Sequence, residues 1–112
     1  MLVWRGHVEN ISDLSEDEAL HFIRSYCRLE LALLQSLKCD RAVILKLGLL
    51  VPHLHVHIYP ISRSESRADV MEMIEAHRRY DPAPGQEEAL LRQLRLALQP
   101  GQRTAEGRWN AN

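Results

Sequence analysis

The chain has 112 residues, of which 46% are hydrophobic and 26% charged, and this length allows one globular domain with a modest core. Its formal net charge of -1 provides no long-range attraction for nucleic acid or for an anionic membrane. The N-terminus lacks the apolar core of a signal peptide, and no apolar run approaches the ~20 residues that span a bilayer. The sequence therefore predicts a cytoplasmic protein with neither a nucleic-acid partner nor a membrane partner.

The first part of the chain predicts a short strand followed by a long helix. Leu2 to Arg5 are mostly apolar and β-prone, and Gly6 ends this segment. Ser15 to Glu18 match a capping box and place acidic residues at a helix N-terminus. Apolar residues then recur at helical spacing, which predicts an amphipathic helix to about Lys38.

The middle of the chain predicts two further strands that pair antiparallel. Ala42 to Leu47 form the first, and Gly48 is the break or bulge after it. Leu49 to Pro52 lead into the second strand, which we expect Pro60 to close.

The last part of the chain predicts two helices, over Arg67 to Arg79 and Gln86 to Leu98, with a turn-rich linker at 81–85 between them. The order of elements predicts an α+β fold, with a mostly antiparallel sheet and a long helix packed on it. We expect residues 1–62 to form the core, with 63–112 as a C-terminal helical extension and polar tail of the same single domain. Three strands are fewer than the ~5 of an average sheet, so we expect either that a partner chain supplies the rest or that this chain is an N-terminally shortened form of something larger.

Three histidines alternate with aliphatic residues directly after Pro52. Successive side chains of a strand point to opposite faces, so the imidazoles would share one face, namely His53, His55 and His57. The aliphatic residues would enter the core on the other face, namely Leu54, Val56 and Ile58. A half-buried strand has no structural reason to make every polar position imidazole, and histidine serves as base, nucleophile or metal ligand. The strand therefore predicts a functional site.

The alternating imidazoles allow two kinds of chemistry. Catalytic zinc usually needs three protein ligands, but His53 and His57 would lie roughly 13 Å apart along an extended strand. No CxxC or HExxH motif is present and the two cysteines form no ligand set, so we expect no metal. Nucleophilic attack on phosphorus fits better, since one neighbouring imidazole could order the ring of His55 while the other touches the phosphate. A surface strand whose histidines have no role is the remaining alternative.

Two segments together resemble the histidine-triad (HIT) family of nucleotide-binding hydrolases and transferases. One is the alternating run from His53 to Tyr59, and the other is Val3 to Leu14, which is similar to a strand, a histidine-bearing loop and the lead-in to a long helix. The resemblance covers about residues 2–62. It implies cleavage at the α-phosphate of a purine nucleotide or nucleotide conjugate through a covalent nucleotidyl-histidine, without a cofactor, in a homodimer.

The resemblance also implies a role for each histidine of the site. His55 corresponds to the nucleophile, and His57 corresponds to the histidine that contacts the α-phosphate oxygens. His53 corresponds to the residue that helps to orient the central ring and assists proton transfer. His7 corresponds to an accessory substrate-binding histidine near the phosphates. The other two histidines match nothing in the family and are expected at helix surfaces, namely His21 and His77.

The sequence departs from the family pattern around this site. Relatives usually have further N-terminal strands and a short helix that supply the pocket for base and ribose, and these are absent here. Gly48, Leu49 and Leu50 stand where family enzymes usually carry Gly-Gln-Ser or Gly-Gln-Thr, whose amide and hydroxyl assist the leaving group. The usual Asn of the preceding strand has no counterpart between Ala42 and Leu47. A catalytically weak nucleotide-binding or protein-interaction module is therefore an alternative function, and an HxHxH metal site is a further one.

Overall fold

The computed structural model describes residues 1–76 and 83–99. Their helices and strands follow the chain in the order β1 (Leu2–Val3), a 3-10 turn (Ile11–Asp13), α1 (Glu16–Leu37), β2 (Arg41–Leu45), β3 (His55–Ile61), α2 (Arg67–Glu75) and α3 (Gln86–Ala97). In this part of the chain, no helix is both long and apolar enough to cross a membrane.

The three strands form one sheet in the order β1-β3-β2, and both pairings are antiparallel. The short strand β1 pairs with the start of β3, where Val3 lies opposite His55. Strand β2 pairs with the rest of β3, from Leu45 opposite His57 to Arg41 opposite Ile61. Together with the long helix α1, this sheet confirms the predicted α+β, HIT-like class.

The core lies between α1 and the face of β3 that carries its aliphatic residues. Phe22 of α1 packs with Leu54 and Val56, which are 0% and 3% exposed. Partly buried residues surround this cluster, namely Leu2, Trp4, Val8, Leu14, Tyr26 and Ile58. The expectation that the aliphatic positions of the alternating run enter the core is therefore confirmed. Complete burial of one leucine side chain contributes about 1.5–3 kcal/mol to stability.

Helix α1 begins at the predicted capping box. The N–H of Glu18 donates to Oγ of Ser15 at 3.3 Å, and the N–H of Ser15 donates to Oε2 of Glu18 at 2.8 Å. The helix ends at Lys38, whose left-handed backbone (φ 53) stops the helical repeat.

Helix α3 packs against α1. The guanidinium of Arg28 donates to the carbonyls of Leu98 and Gln99, which satisfies acceptors that the end of a helix leaves free. A shallow cleft of about 190 Å³ lies between the two helices, lined by Ser36, Leu37, Gln86, Ala89, Leu90 and Gln93.

Several predicted boundaries differ from the observed ones. Strand β1 ends at Val3 rather than Arg5, and β2 spans 41–45 rather than 42–47. Strand β3 begins at His55, so placing His53 inside the strand was wrong. It also continues through Pro60, because β1 pairs only with the first two residues of β3 and no described strand lies on the other side of Pro60. A missing N–H on that side costs no ladder hydrogen bond. The described residues do not include the predicted end of α2 at 79, the first two linker positions (81–82) or His77.

Candidate functional site

His55 and His57 lie on the sheet face that points away from Phe22. Their rings meet edge to face, with centroids 5.2 Å apart and planes at 77°. Across the ladder, Val3 lies opposite His55 and Leu45 lies opposite His57. Both imidazoles are half-buried, so each ring keeps part of its surface accessible to a ligand while neighbouring strands restrict its movement.

His53 is held by main-chain contacts just before β3. Its N–H donates to the carbonyl of Val51 at 2.8 Å, which makes a tight turn. Its ring Nε2 donates to the carbonyl of Trp4 at 2.5 Å. The next residue is fixed on both sides, because the N–H of Leu54 donates to the carbonyl of Val8 and its carbonyl accepts from the N–H of Trp4. These contacts to the 4–8 segment explain why the strand begins only at His55.

The ring of His55 is oriented by the main chain of the same segment. Its Nδ1 lies 2.7 Å from the carbonyl oxygen of His53. A carbonyl oxygen only accepts hydrogen bonds, so Nδ1 carries the proton and Nε2 of the neutral ring keeps a free lone pair. We expected a neighbouring imidazole to order this ring. The contact is instead made by the main-chain carbonyl of His53, not by an imidazole ring.

His7 lies on the exposed loop that follows β1, and the fold brings it to the site. Its ring meets the ring of His53 edge to face, with centroids 6.4 Å apart. The loop is turned back by a hydrogen bond from the N–H of Val8 to the carbonyl of Gly6 at 3.0 Å. The site thus contains two imidazole pairs, His7 with His53 and His55 with His57. His21 lies apart from these pairs on α1, against the indole of Trp4.

Tyr59 is a neighbour of the site that we did not single out from the sequence. Its ring stacks on that of His57, with centroids 6.4 Å apart and planes at 21°. The signal was present in the chain, because Tyr59 follows His57 by two positions and a strand places such residues on one face. The stack restricts the orientation of His57.

The loop that leads to the triad presents apolar side chains to solvent. Leu49 and Leu50 are 84% and 97% exposed, and neither side chain can donate a hydrogen bond. The loop begins at Gly48, whose positive φ of 61° favours glycine. Just before it, Nζ of Lys46 donates to Oδ1 of Asn10 at 3.1 Å. The polar donors that family enzymes usually place in this loop therefore have no replacement among its own side chains.

Within residues 1–76 and 83–99, no group of three or more histidine, cysteine, aspartate or glutamate side chains is arranged to hold a metal ion. The HxHxH pattern alone therefore gives no metal geometry in the described part of the chain. The described residues instead bring imidazole rings together in two pairs, and imidazoles can act as nucleophiles and as hydrogen-bond donors to phosphoryl oxygens.

Comparison with known families decides the assignment. The family model described as HIT domain matches residues 1–76, which is more than half of the chain. The chain belongs to the HIT family. No curated protein gives a significant match. The match of this HIT chain includes both segments that carried the resemblance, and it reaches the end of α2. Membership supports a nucleotide-binding, hydrolase-like function of the kind associated with HIT proteins.

Proposed function

We propose that this HIT protein cleaves a phosphoramidate or polyphosphate bond at the α-phosphate of a nucleotide, with His55 as the nucleophile. The observation that carries the proposal is the 2.7 Å contact between Nδ1 of His55 and the carbonyl of His53. This contact holds the proton on Nδ1 and leaves Nε2 as the nitrogen able to attack. The half-buried position of the ring in β3 limits the orientations that it can adopt.

In the first step, the Nε2 lone pair forms a bond to the α-phosphorus as the bond from phosphorus to the leaving group breaks. The ring becomes positively charged, and the hydrogen bond from Nδ1 to the carbonyl of His53 becomes charge-assisted and stronger. We assign to His57, whose ring lies against that of His55, the stabilisation of charge on the phosphoryl oxygens. The leaving group departs with its electron pair and takes up a proton.

His53 is the group that we assign to proton transfer. Its Nε2–H is committed to the carbonyl of Trp4, so Nδ1 is the nitrogen that takes part in proton transfer. Nδ1 takes up a proton from solvent before the reaction and gives it to the leaving group, which returns the ring to its neutral form with the proton on Nε2. His7 lies against this ring and is assigned to binding the phosphates. In the second step, water attacks the phosphorus and gives a proton to Nδ1 of His53, while the bond from phosphorus to Nε2 of His55 breaks and its electron pair returns to that nitrogen. The nucleoside monophosphate is released, and both histidines are back in the states that began the cycle.

Hydrolysis assays test the proposal directly. Purified protein is mixed with adenosine phosphoramidate or a dinucleoside polyphosphate, and release of the monophosphate is followed. Substituting His55→Ala removes the nucleophile, so the rate should fall by about four orders of magnitude or more. Arg92→Ala is the control, because it truncates an exposed side chain of α3 that lies outside the two imidazole pairs, and its rate should stay near that of the wild type. Equal rates for wild type and His55→Ala would contradict the assignment.

A second candidate function is nucleotide binding without turnover, and the exposed Leu49 and Leu50 favour it. Loss of one positioned donor typically costs two to three orders of magnitude in rate. Calorimetry that detects nucleotide binding, combined with no product after prolonged incubation, would support this function over the enzyme.

We also propose that the protein binds a purine nucleotide as a homodimer. Strand β1 is paired on one side only within the described residues, and Val3 and Ile44 of the two outer strands are exposed apolar residues. Open sheet edges of this kind invite pairing with a second chain. Light scattering at micromolar concentration should give the mass of a dimer, and a monomeric mass would contradict this proposal.

A further inference from the structure

Trp4 connects the histidine site to the core. Its main chain makes two of the contacts that define the site, since its N–H donates to the carbonyl of Leu54 at 3.0 Å and its carbonyl accepts from Nε2 of His53 at 2.5 Å. Its indole belongs to the core layer. The ring meets Phe22 and His21 of α1 edge to face, with centroids 6.3 and 6.2 Å apart.

Gly6 leaves room for this indole. A Cβ placed on Gly6 would lie 3.0 Å from Nε1 and 3.4 Å from Cδ1 of Trp4. Both distances are tighter than most real Cβ contacts, so a side chain at position 6 would require the indole or the loop to shift by a few tenths of an ångström. Helix α1 also contacts the ring, so the indole is restricted both by the loop at Gly6 and by the helix.

The fixed indole has a consequence for His53. The direction of a main-chain carbonyl is set by the backbone dihedrals of the residue that carries it, and contacts that hold this residue restrict those dihedrals. Because the indole and the contact to Leu54 both fix Trp4, its carbonyl presents one acceptor to the His53 ring in one direction. The neutral ring satisfies that acceptor only in the tautomer that carries its proton on Nε2.

We propose that Trp4 is a positioning residue, whose indole, seated over Gly6 and against α1, sets the tautomer of His53 through the main-chain carbonyl. The effect of this tautomer on proton transfer to the leaving group rests on the proposed function. The structural link between residues 4, 6 and 53 does not depend on it. His53 should therefore have the Nε2–H tautomer in the protein without any substrate.

Nitrogen-15 NMR of the histidine rings tests this link without substrate. In alkaline buffer, where the rings are neutral, His53 should carry its proton on Nε2, and its signal is assigned by its loss in His53→Gln. Substituting Gly6→Ala displaces the indole, and the ratio of the two His53 tautomers should move toward the Nδ1–H form by roughly fivefold, as expected for loss of one ordinary hydrogen bond. The His55 signal should remain that of the Nδ1–H form, since its acceptor is the carbonyl of His53.

Two controls separate this effect from general damage. Gly85→Ala places the same methyl group on a residue with a positive φ of 84° and no atom within 4 Å, so it strains the backbone far from Trp4 and should leave His53 unchanged. In a Trp4→Leu background there is no indole for the new methyl group to meet, so Gly6→Ala should add no further change in the tautomer ratio.

A wild-type His53 that carries its proton mainly on Nδ1 would overturn the proposal, and this measurement requires no variant to fold. An unchanged tautomer ratio in folded Gly6→Ala, or an equal change in Gly85→Ala, would overturn it too. The tautomer of His53 is measured without substrate, so its result does not depend on whether the wild type hydrolyses nucleotide. Failure of this proposal is therefore distinguishable from failure of the enzymatic one.

Discussion

The segment from Leu54 into β3 and the loop at 48–52 are both rich in aliphatic residues, and the fold places them in opposite environments. Leu54 and Val56 are buried beneath the histidine face, whereas Leu49 and Leu50 are almost fully exposed beside it. Just before the strand, both the N–H and the carbonyl of Leu54 make hydrogen bonds to the main chain of the 4–8 segment. In this comparison, the part of the site that carries the proposed nucleophile His55 is supported by the packed core, while the loop at Leu49 and Leu50 presents apolar surface without side-chain donors.

The largest expected effect is a difference in the free energy of unfolding between substitutions in the two regions. Leu54→Ala removes a fully buried side chain and should lower the free energy of unfolding by about 2–5 kcal/mol. Leu50→Ala is the matched control, because it makes the same change on an exposed side chain and should stay within about 0.5 kcal/mol of the wild type. Urea denaturation followed by circular dichroism measures both. Equal losses would show that the loop is packed against a partner in solution, and the contrast between the two regions would be wrong.

An intermediate effect concerns activity. The double substitution Leu49→Gln/Leu50→Ser restores an amide and a hydroxyl next to the triad, and these can donate to the leaving group as its charge develops. We expect kcat/KM for adenosine phosphoramidate to rise by about ten- to a hundredfold, which is below the usual worth of a positioned donor because the loop is not shaped around it.

The control for this substitution is Leu47→Gln, which places an amide on an exposed residue of the same segment but before Gly48. It should leave kcat/KM unchanged. If the double variant folds normally and its kcat/KM does not rise, the leucines are not the cause of any weak turnover. The difference in exposure between Leu49 and Leu50 on one side and Leu54 and Val56 on the other would then have no bearing on hydrolysis.

The smallest expected effect lies beyond the histidine strand, in α2. Hydrogen bonds from the hydroxyl and the N–H of Ser66 lower the pKa of Asp69 below its ordinary value. A carboxylate whose pKa is lower in the folded state stabilises the protein above its unfolded pKa of ~3.9, and this contribution is lost as pH falls through the folded pKa. Asp69→Asn should therefore lower Tm slightly at neutral pH, and the difference should disappear in acid.

The control for Asp69 lies at the other end of the same helix. Glu75→Gln removes an exposed acid near the negative end of the helix dipole, so Tm at neutral pH should be unchanged or slightly higher. Thermal unfolding at a series of pH values distinguishes the two variants. A change in nucleotide hydrolysis by either one would show that α2 influences the site, contrary to the division drawn here.

The sequence predicted those features that depend on residues close together in the chain. Alternation placed Leu54 and Val56 in the core, and the capping box at Ser15 and Glu18 marked the start of α1. Both signals are local, since one arises from the two-residue period of a strand and the other from a hydrogen-bond pair within one helical turn.

Features that depend on distant contacts could not be predicted in this way. His53 lies outside the strand, where its ring contacts the carbonyl of Trp4 and the next residue, Leu54, bonds to Trp4 and Val8. These partners are about fifty residues away in the sequence. The acceptor for Nδ1 of His55 is a carbonyl, and a carbonyl carries no residue identity from which its role could be inferred. The stack of Tyr59 on His57 was implied by their spacing, although its geometry required the register between β2 and β3.

Covalent trapping tests the central claim most directly. The protein is incubated with a nucleotide donor radiolabelled at the α-phosphate, quenched in alkali, where phosphoramidates of histidine persist, and digested for mass spectrometry. The account predicts a nucleotidyl group on His55 in the wild type and in His7→Ala, and none in His55→Ala. Label on another histidine, or turnover without any label on His55 under these conditions, would contradict it.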